Sequence, residues 1–133
     1  MTITARWQSL APQIQSLLRI VAAIMFIQFG MMKLFGIPIG MPPNNALATP
    51  LTEAWNAGVL EVVGGLLVLV GLFTRPVAFI LSGEMAVAYF QVHCPQSPWL
   101  VVNQGTPAAL YCFVWLYFSA AGAGPWSLDA KRN

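Results

Sequence analysis

Four long apolar stretches, at about residues 17–35, 55–73, 77–92 and 107–121, leave this chain few folds to choose from. A helix that crosses a bilayer needs roughly 20 mostly apolar residues, with ~17 as a lower bound. The first two stretches reach that length alone. The last two reach it by recruiting flanking residues such as Pro76, His93 and Gly105. Charged residues make up 8% of the 133 and hydrophobic residues 58%, whereas a soluble domain carries about 25% charged residues. One apolar hairpin can sit in a soluble core, but four would leave nothing polar to face water. The pattern predicts an all-α integral membrane bundle of four transmembrane helices, up-down-up-down. It forms a single domain over residues 1–133, with spans at about 17–36, 55–73, 76–93 and 105–122. In the alternative, three helices span.

The first stretch is also tested against a secretory signal, whose apolar core is ~7–15 residues long. It is longer than that, contains Gln28 and Lys33, and ends in Gly36-Ile37-Pro38. The reading is a retained helix. The net charge of +2, without a Lys/Arg cluster, excludes a nucleic-acid partner; the partner the composition demands is the lipid bilayer.

Four short helices place both termini and the turn at Thr74-Arg75-Pro76 on one side. That side holds Arg6, Arg19, Arg75, Lys131 and Arg132, and the other holds Lys33. The excess of positive charge predicts that both termini are cytoplasmic. The loops at residues 37–54 and 94–104 then lie outside. The first is rich in Pro and Asn and reads as an ordered surface strap. Trp7, Trp55, Trp99 and Trp126 fall near helix ends, where indoles anchor at the membrane interface. Trp115 lies within the fourth helix and is packed or lipid-facing. Gly58, Gly64, Gly65 and Gly71 line the second helix and suit close helix packing or a contact between copies in a homo-oligomer.

Ionisable and polar groups at membrane depth carry the candidate chemistry, because they are costly there and face the interior, pair, or mark a path. Glu61 follows Trp55 by enough residues to lie roughly 9 Å inside the membrane surface, at ~1.5 Å per residue. Lys33, near the end of the first helix, can reach the same level. Glu84 lies roughly 12 Å from the opposite surface, with Gln28 at comparable depth. Arg19 enters from the cytoplasmic end and either snorkels or reaches towards Glu84. These groups either form buried pairs that fix helix register or line a polar pocket in which Glu61 or Glu84 exchanges a proton. His93, the single histidine, suits a proton relay at the outer end of the third helix. With Asn103 it completes the candidate ligand-binding set of Arg19, Gln28, Lys33, Glu61, Glu84, His93 and Asn103. The catalytic candidates among them are Glu61, Glu84 and His93. No metal is expected, since one histidine and two cysteines do not assemble ligand spacing. Cys94 and Cys112 differ in depth and are read as unbridged, and no Cys-x-x-Cys motif is present. Neither a phosphate-cradling glycine loop nor a dinucleotide fingerprint occurs; Gly122-Ala123-Gly124 before Pro125 reads as a helix stop.

In order along the chain stand Leu18-Arg19-Ile20, then Gly30 with Lys33-Leu34, then Leu60-Glu61-Val62-Val63-Gly64-Gly65-Leu66-Leu67 and Gly71-Leu72-Phe73-Thr74-Arg75-Pro76. Glu84-Met85, His93 and the tail Gly122-Ala123-Gly124-Pro125-Trp126-Ser127-Leu128-Asp129 follow. In this order and spacing the sequence resembles the DoxX family of small bacterial membrane proteins. It departs from the family where Thr106-Pro107 follows Asn103-Gln104-Gly105, a position at which relatives often carry an acid. The resemblance implies a four-helix protein of the bacterial inner membrane. It also implies association with quinone-linked oxidation of sulfur compounds or with oxidative-stress systems. Three functions follow as expectations. The first is a quinone-linked oxidoreductase subunit working with a soluble or membrane redox partner. The others are a non-enzymatic membrane scaffold or assembly factor, and a small-solute carrier.

Overall fold

The computed structural model describes residues 1–132, and among these the fold is all-helical. The one departure from helix and loop is an isolated bridge between Met41 and Ala46. Three helical segments are long and apolar enough to cross a membrane, Ala11–Phe35, Glu53–Val70 and Thr74–Gln96, and Thr106–Ala121 is a shorter apolar helix. The chain divides into two compact units, residues 1–74 with the C-terminal tail from Ala123, and residues 75–122.

In the first unit, α1 (Ile3–Gln8) starts at Thr2, whose hydroxyl accepts from the Ala5 amide at 3.1 Å. The long α2 (Ala11–Phe35) has proline in its first turn, where a missing N–H costs nothing. It begins at Ala11 rather than near Leu17, because the polar residues Gln13, Gln15 and Ser16 extend the apolar stretch as helix. It stops at Gly36, which takes the left-handed conformation (φ 66°) that residues with a Cβ avoid. The strap that follows is tied back where the Ala48 amide donates to the Lys33 carbonyl at 2.8 Å. Thr52 caps α3 (Glu53–Val70), and Gly71 (φ 72°) ends it.

Glycine decides how α2 and α3 meet. A Cβ on Gly30 would lie 2.7 Å from the Gly58 carbonyl oxygen, and one on Gly65 would lie 2.5 Å from Ile27 Cγ1. Lipid tails are as apolar as leucine, so helices in a bilayer associate through close packing and hydrogen bonds rather than hydrophobic exclusion. Small residues make that packing close. The glycine face of α3 is therefore spent within the chain, against α2.

The second unit is built from α4 (Thr74–Ala88), a π-turn over Tyr89–His93 and a 3-10 turn over Cys94–Gln96. The short α5 (Leu100–Asn103) and α6 (Thr106–Ala121) complete it. Along α4, Ala78, Leu81, Ser82 and Met85 are buried at helical spacing. The Ser82 hydroxyl donates to the Cys112 carbonyl at 2.7 Å and so joins α4 to α6. Trp115 is fully buried and lies 5.7 Å from Tyr111 and 6.1 Å from Phe118 between ring centroids. It packs rather than facing lipid. Gly122 (φ 83°) closes α6, as the helix-stop reading requires.

The contact at Gly30 gives a direct test. Gly30→Ala should destabilise the α2–α3 pair by about 1–3 kcal/mol, because the new methyl meets backbone rather than a side chain that can turn away. Thermal unfolding in mild detergent should show the loss, and an unchanged midpoint would contradict this packing.

Candidate functional site

At the Gly36 end of α2, Lys33 turns towards α3, and its ammonium lies 2.6 Å from the Glu61 carboxylate. The depth arithmetic anticipated this meeting; the glycine contact makes it possible. Gly58 stands one turn before Glu61, and a Cβ there would sit 3.1 Å from Lys33 Cβ. Glu61 is sealed, its side chain 1% exposed, while Lys33 retains 21% exposure. A carboxylate taken out of water is tolerated only with a partner and hydrogen bonds, and Lys33 supplies the charge. A lysine ammonium has three donors, so it can serve Glu61 and also a second acceptor arriving from the exposed side.

Arg19 goes elsewhere. Its guanidinium, fully buried, donates to the Ala123 carbonyl, to the Trp126 carbonyl at 2.7 Å and to the Leu69 carbonyl at 3.4 Å. Ser16, one turn earlier on the same face, accepts from the Trp126 amide at 3.1 Å. The tail returns the attachment through Asp129, whose oxygens accept from the Phe73 and Thr74 amides at 2.8 and 2.9 Å. The Asp129 amide donates to the Gly71 carbonyl at 2.8 Å. A carboxylate on the amides that open α4 complements the positive end of that helix. Thus Arg19, expected to snorkel or to seek Glu84, is a latch for the tail, and Asp129 is a partner the sequence reading missed. Its signal was the Gly-Pro-Trp-Ser-Leu-Asp run, distinctive in composition but silent about where it docks.

Gln28 lies on the exposed face of α2, where its amide donates to its own helix, to the Ile24 carbonyl at 3.4 Å. In the second unit, both Glu84 oxygens are shielded from solvent. His93 and Asn103 are brought together, with Nδ1 of the ring 2.9 Å from the Asn103 carbonyl oxygen. Because a carbonyl can only accept, Nδ1 is the donor in this bond. Asn103 is fully buried and consumed by its own loop. Its Nδ2 donates to the Ser97 carbonyl at 2.9 Å and to the Tyr89 hydroxyl at 3.3 Å, while Oδ1 accepts from the Gly105 amide at 2.7 Å. The loop entering α6 is therefore organised by an amide. Among the described residues no cluster of three or more His, Cys, Asp or Glu is placed to hold a metal, and Cys94 and Cys112 are free thiols.

Comparison with known proteins adds two findings. A family model described as DoxX matches residues 14–94, more than half of the chain. A protein of Haemophilus influenzae described as uncharacterized is 45% identical over 124 residues, covering 90% of this chain and 91% of its own length. No solved structure matches the chain. The matched family segment includes Arg19, Gln28, Lys33, Glu61, Glu84 and His93, and ends before Asn103 and Asp129.

The tail latch has a pH signature. Burial pushes the Asp129 carboxyl up, but hydrogen bonds from Thr74 and the Phe73 amide, with the charge of Arg132, outweigh it and hold the group below its ordinary value of 3.8. A carboxyl whose pKa is lower folded than unfolded contributes stability above the ordinary range and loses it as pH falls through the folded value. The tail should therefore resist protease at neutral pH and become cleavable by pepsin only as pH falls through the folded value, which lies below 3.8. Asp129→Asn should be cleavable near Trp126 already at neutral pH. Equal resistance of the variant and the parent would contradict the latch.

Proposed function

We propose, from the premise that this chain belongs to the DoxX family, that it is a membrane subunit of a quinone-linked redox or oxidative-stress system. The observation that carries the reading is the Lys33–Glu61 pair, a sealed carboxylate joined to a partly exposed ammonium near the end of a membrane-length helix. That arrangement fits a quinone head group. The spare donors of Lys33 suit a carbonyl oxygen, and the Glu61 carboxylate behind it holds the ammonium in place. Two electrons would come from a separate redox partner and two protons from water at the exposed side of the pair, and this chain supplies the head-group site. Glu84 and His93, in the second unit, are separate candidates for proton exchange, while Arg19 and Asn103 hold structure. Gln28 is no part of the pocket in this reading.

The proposed setting is the bacterial inner membrane, with Thr106–Ala121 as a fourth span in one up-down-up-down bundle. Arg6, Arg75, Lys131 and Arg132 then mark the cytoplasmic side and Lys33 the other. A second reading, a membrane scaffold or assembly factor, is favoured by the way Arg19 and Asn103 spend their hydrogen bonds on the chain's own backbone. It predicts a stable protein partner in pull-downs from mild detergent.

Extraction of the purified protein with organic solvent and mass spectrometry should recover quinone. Glu61→Gln should lower both the quinone retained and the quinone-reduction rate of membranes containing the protein. Recovery of none, together with an unchanged rate in Glu61→Gln, would sink the redox reading.

A further inference from the structure

Two short helices of the first unit bury nothing. In α1 no residue is buried, and Ile3 and Trp7, one turn apart, are 88% and 65% exposed. The same holds for α7 (Leu128–Arg132), although Asp129 ties its first turn to the amides that open α4. A helix of six residues is marginal in water by itself, so a surface outside the fold has to hold α1. Both helices stand at one end of α2. The Leu10 amide donates to the Trp7 carbonyl and the Ile14 amide to the Leu10 carbonyl, which joins α1 to the first turn of α2. The tail that leads to α7 passes the same turns, since a Cβ on Gly124 would lie 2.3 Å from Ser16 Oγ and 3.1 Å from the Pro12 carbonyl oxygen. Because α2 is long and apolar enough to cross a membrane from Ala11 onward, this end lies at the membrane surface.

Charge at this end is one-sided. Arg6, Lys131 and Arg132 are all exposed. The acid beside them, Asp129, is already held by the Phe73 and Thr74 amides, and Arg132 stays 3.9 Å from it. Glu53 and Glu61 belong to the opposite end of the unit, where Lys33 stands. The Arg132 guanidinium lies over the Phe73 ring, 4.6 Å from its centroid. A guanidinium stacked in this way is steadied by the ring and keeps its N–H edge for a phosphate oxygen. Trp126 and Leu128, both exposed, add apolar surface beside the cations.

We propose that α1 and α7 together form a basic, tryptophan-edged collar that binds anionic phospholipid head groups, with α1 lying in the plane of the membrane surface. The combination selects the occupant. Indoles and Ile3 settle at the depth of the head groups, and cations beside them meet phosphate. An acidic soluble protein would answer the charge but leave Ile3, Trp7 and Trp126 at the plane where lipid lies. A lipid surface without net charge would take up the indoles and leave Arg6, Lys131 and Arg132 unanswered. Anionic lipid satisfies both, and electrostatic attraction to such a surface acts on each basic residue near it. Held there, α7 keeps the tail seated on Ser16 and Arg19, so the lipid also supports the latch.

The experiment uses the full chain in nanodiscs of phosphatidylcholine, alone or mixed with phosphatidylglycerol. In a Cys94→Ala, Cys112→Ala background, an environment-sensitive dye on Ile3→Cys should shift to the blue when phosphatidylglycerol is present. It should also become shielded from a neutral water-soluble quencher. Native mass spectrometry should show phosphatidylglycerol retained in preference to phosphatidylcholine, less so at high salt. Arg6→Gln, Lys131→Gln and Arg132→Gln should each lower that preference on the order of fivefold, the equivalent of about 1 kcal/mol. Arg6→Lys should retain it, and an unchanged thermal midpoint in phosphatidylcholine will show that the neutralised variants fold. Equal dye emission in the two bilayers would overturn the proposal, as would a phosphatidylglycerol preference that survives the loss of all three cations.

Discussion

The close approach of α2 to α3 sets the terms for the first unit. Gly30 meets the Gly58 backbone and Gly65 meets Ile27, so two helix axes come near enough for side chains at both ends of the contact to bridge. At one end Lys33 reaches Glu61. At the other Arg19 reaches the Leu69 carbonyl and, past it, the returning tail. Larger residues at the glycine positions would push the helices apart. The same ionisable groups would then remain at membrane depth with nothing to satisfy them, which is the costly outcome in a bilayer.

The two cations of that helix pair are neutralised by different means. Lys33 answers a carboxylate, so charge meets charge. Arg19 answers backbone carbonyls, whose dipoles satisfy a guanidinium without offering a base. This difference separates the two cations by the chemistry of what they bind. A planar fork of donors suits several fixed carbonyls at once, and a flexible ammonium suits one acid with donors to spare. Asn103 repeats the structural solution in the second unit, tying Ser97, Tyr89 and Gly105 together.

Much of this was legible in the residues because depth along a helix is arithmetic. Counting from Trp55 and from Gly36 brought Glu61 and Lys33 to one level, and the structure joins them. Rotation about the helix axis is less legible. Gln28 has a suitable depth for a pocket yet lies on the exposed side, since an apolar stretch that is nearly uniform gives no sign of which face turns inward. Arg19 was beyond reach for another reason: its acceptors are carbonyls of Ala123 and Trp126, more than a hundred residues away. Backbone atoms leave no mark in composition. The tail that supplies them announced itself by Gly-Pro-Trp and its Ser-Leu-Asp ending, but a docking site on Ser16, Arg19 and the Gly71 turn follows only from the fold.

A double-mutant cycle on Lys33 and Glu61 tests the central claim most directly, that a buried acid is paired with Lys33 across the glycine-lined contact of α2 and α3. Lys33→Met alone removes the counter-charge of a buried carboxylate and should cost about 3–5 kcal/mol of stability in detergent. Lys33→Met combined with Glu61→Leu should recover most of that loss, because neither charge is left to bury. Strictly additive effects of the two substitutions would contradict the pairing and, with it, the site built on it.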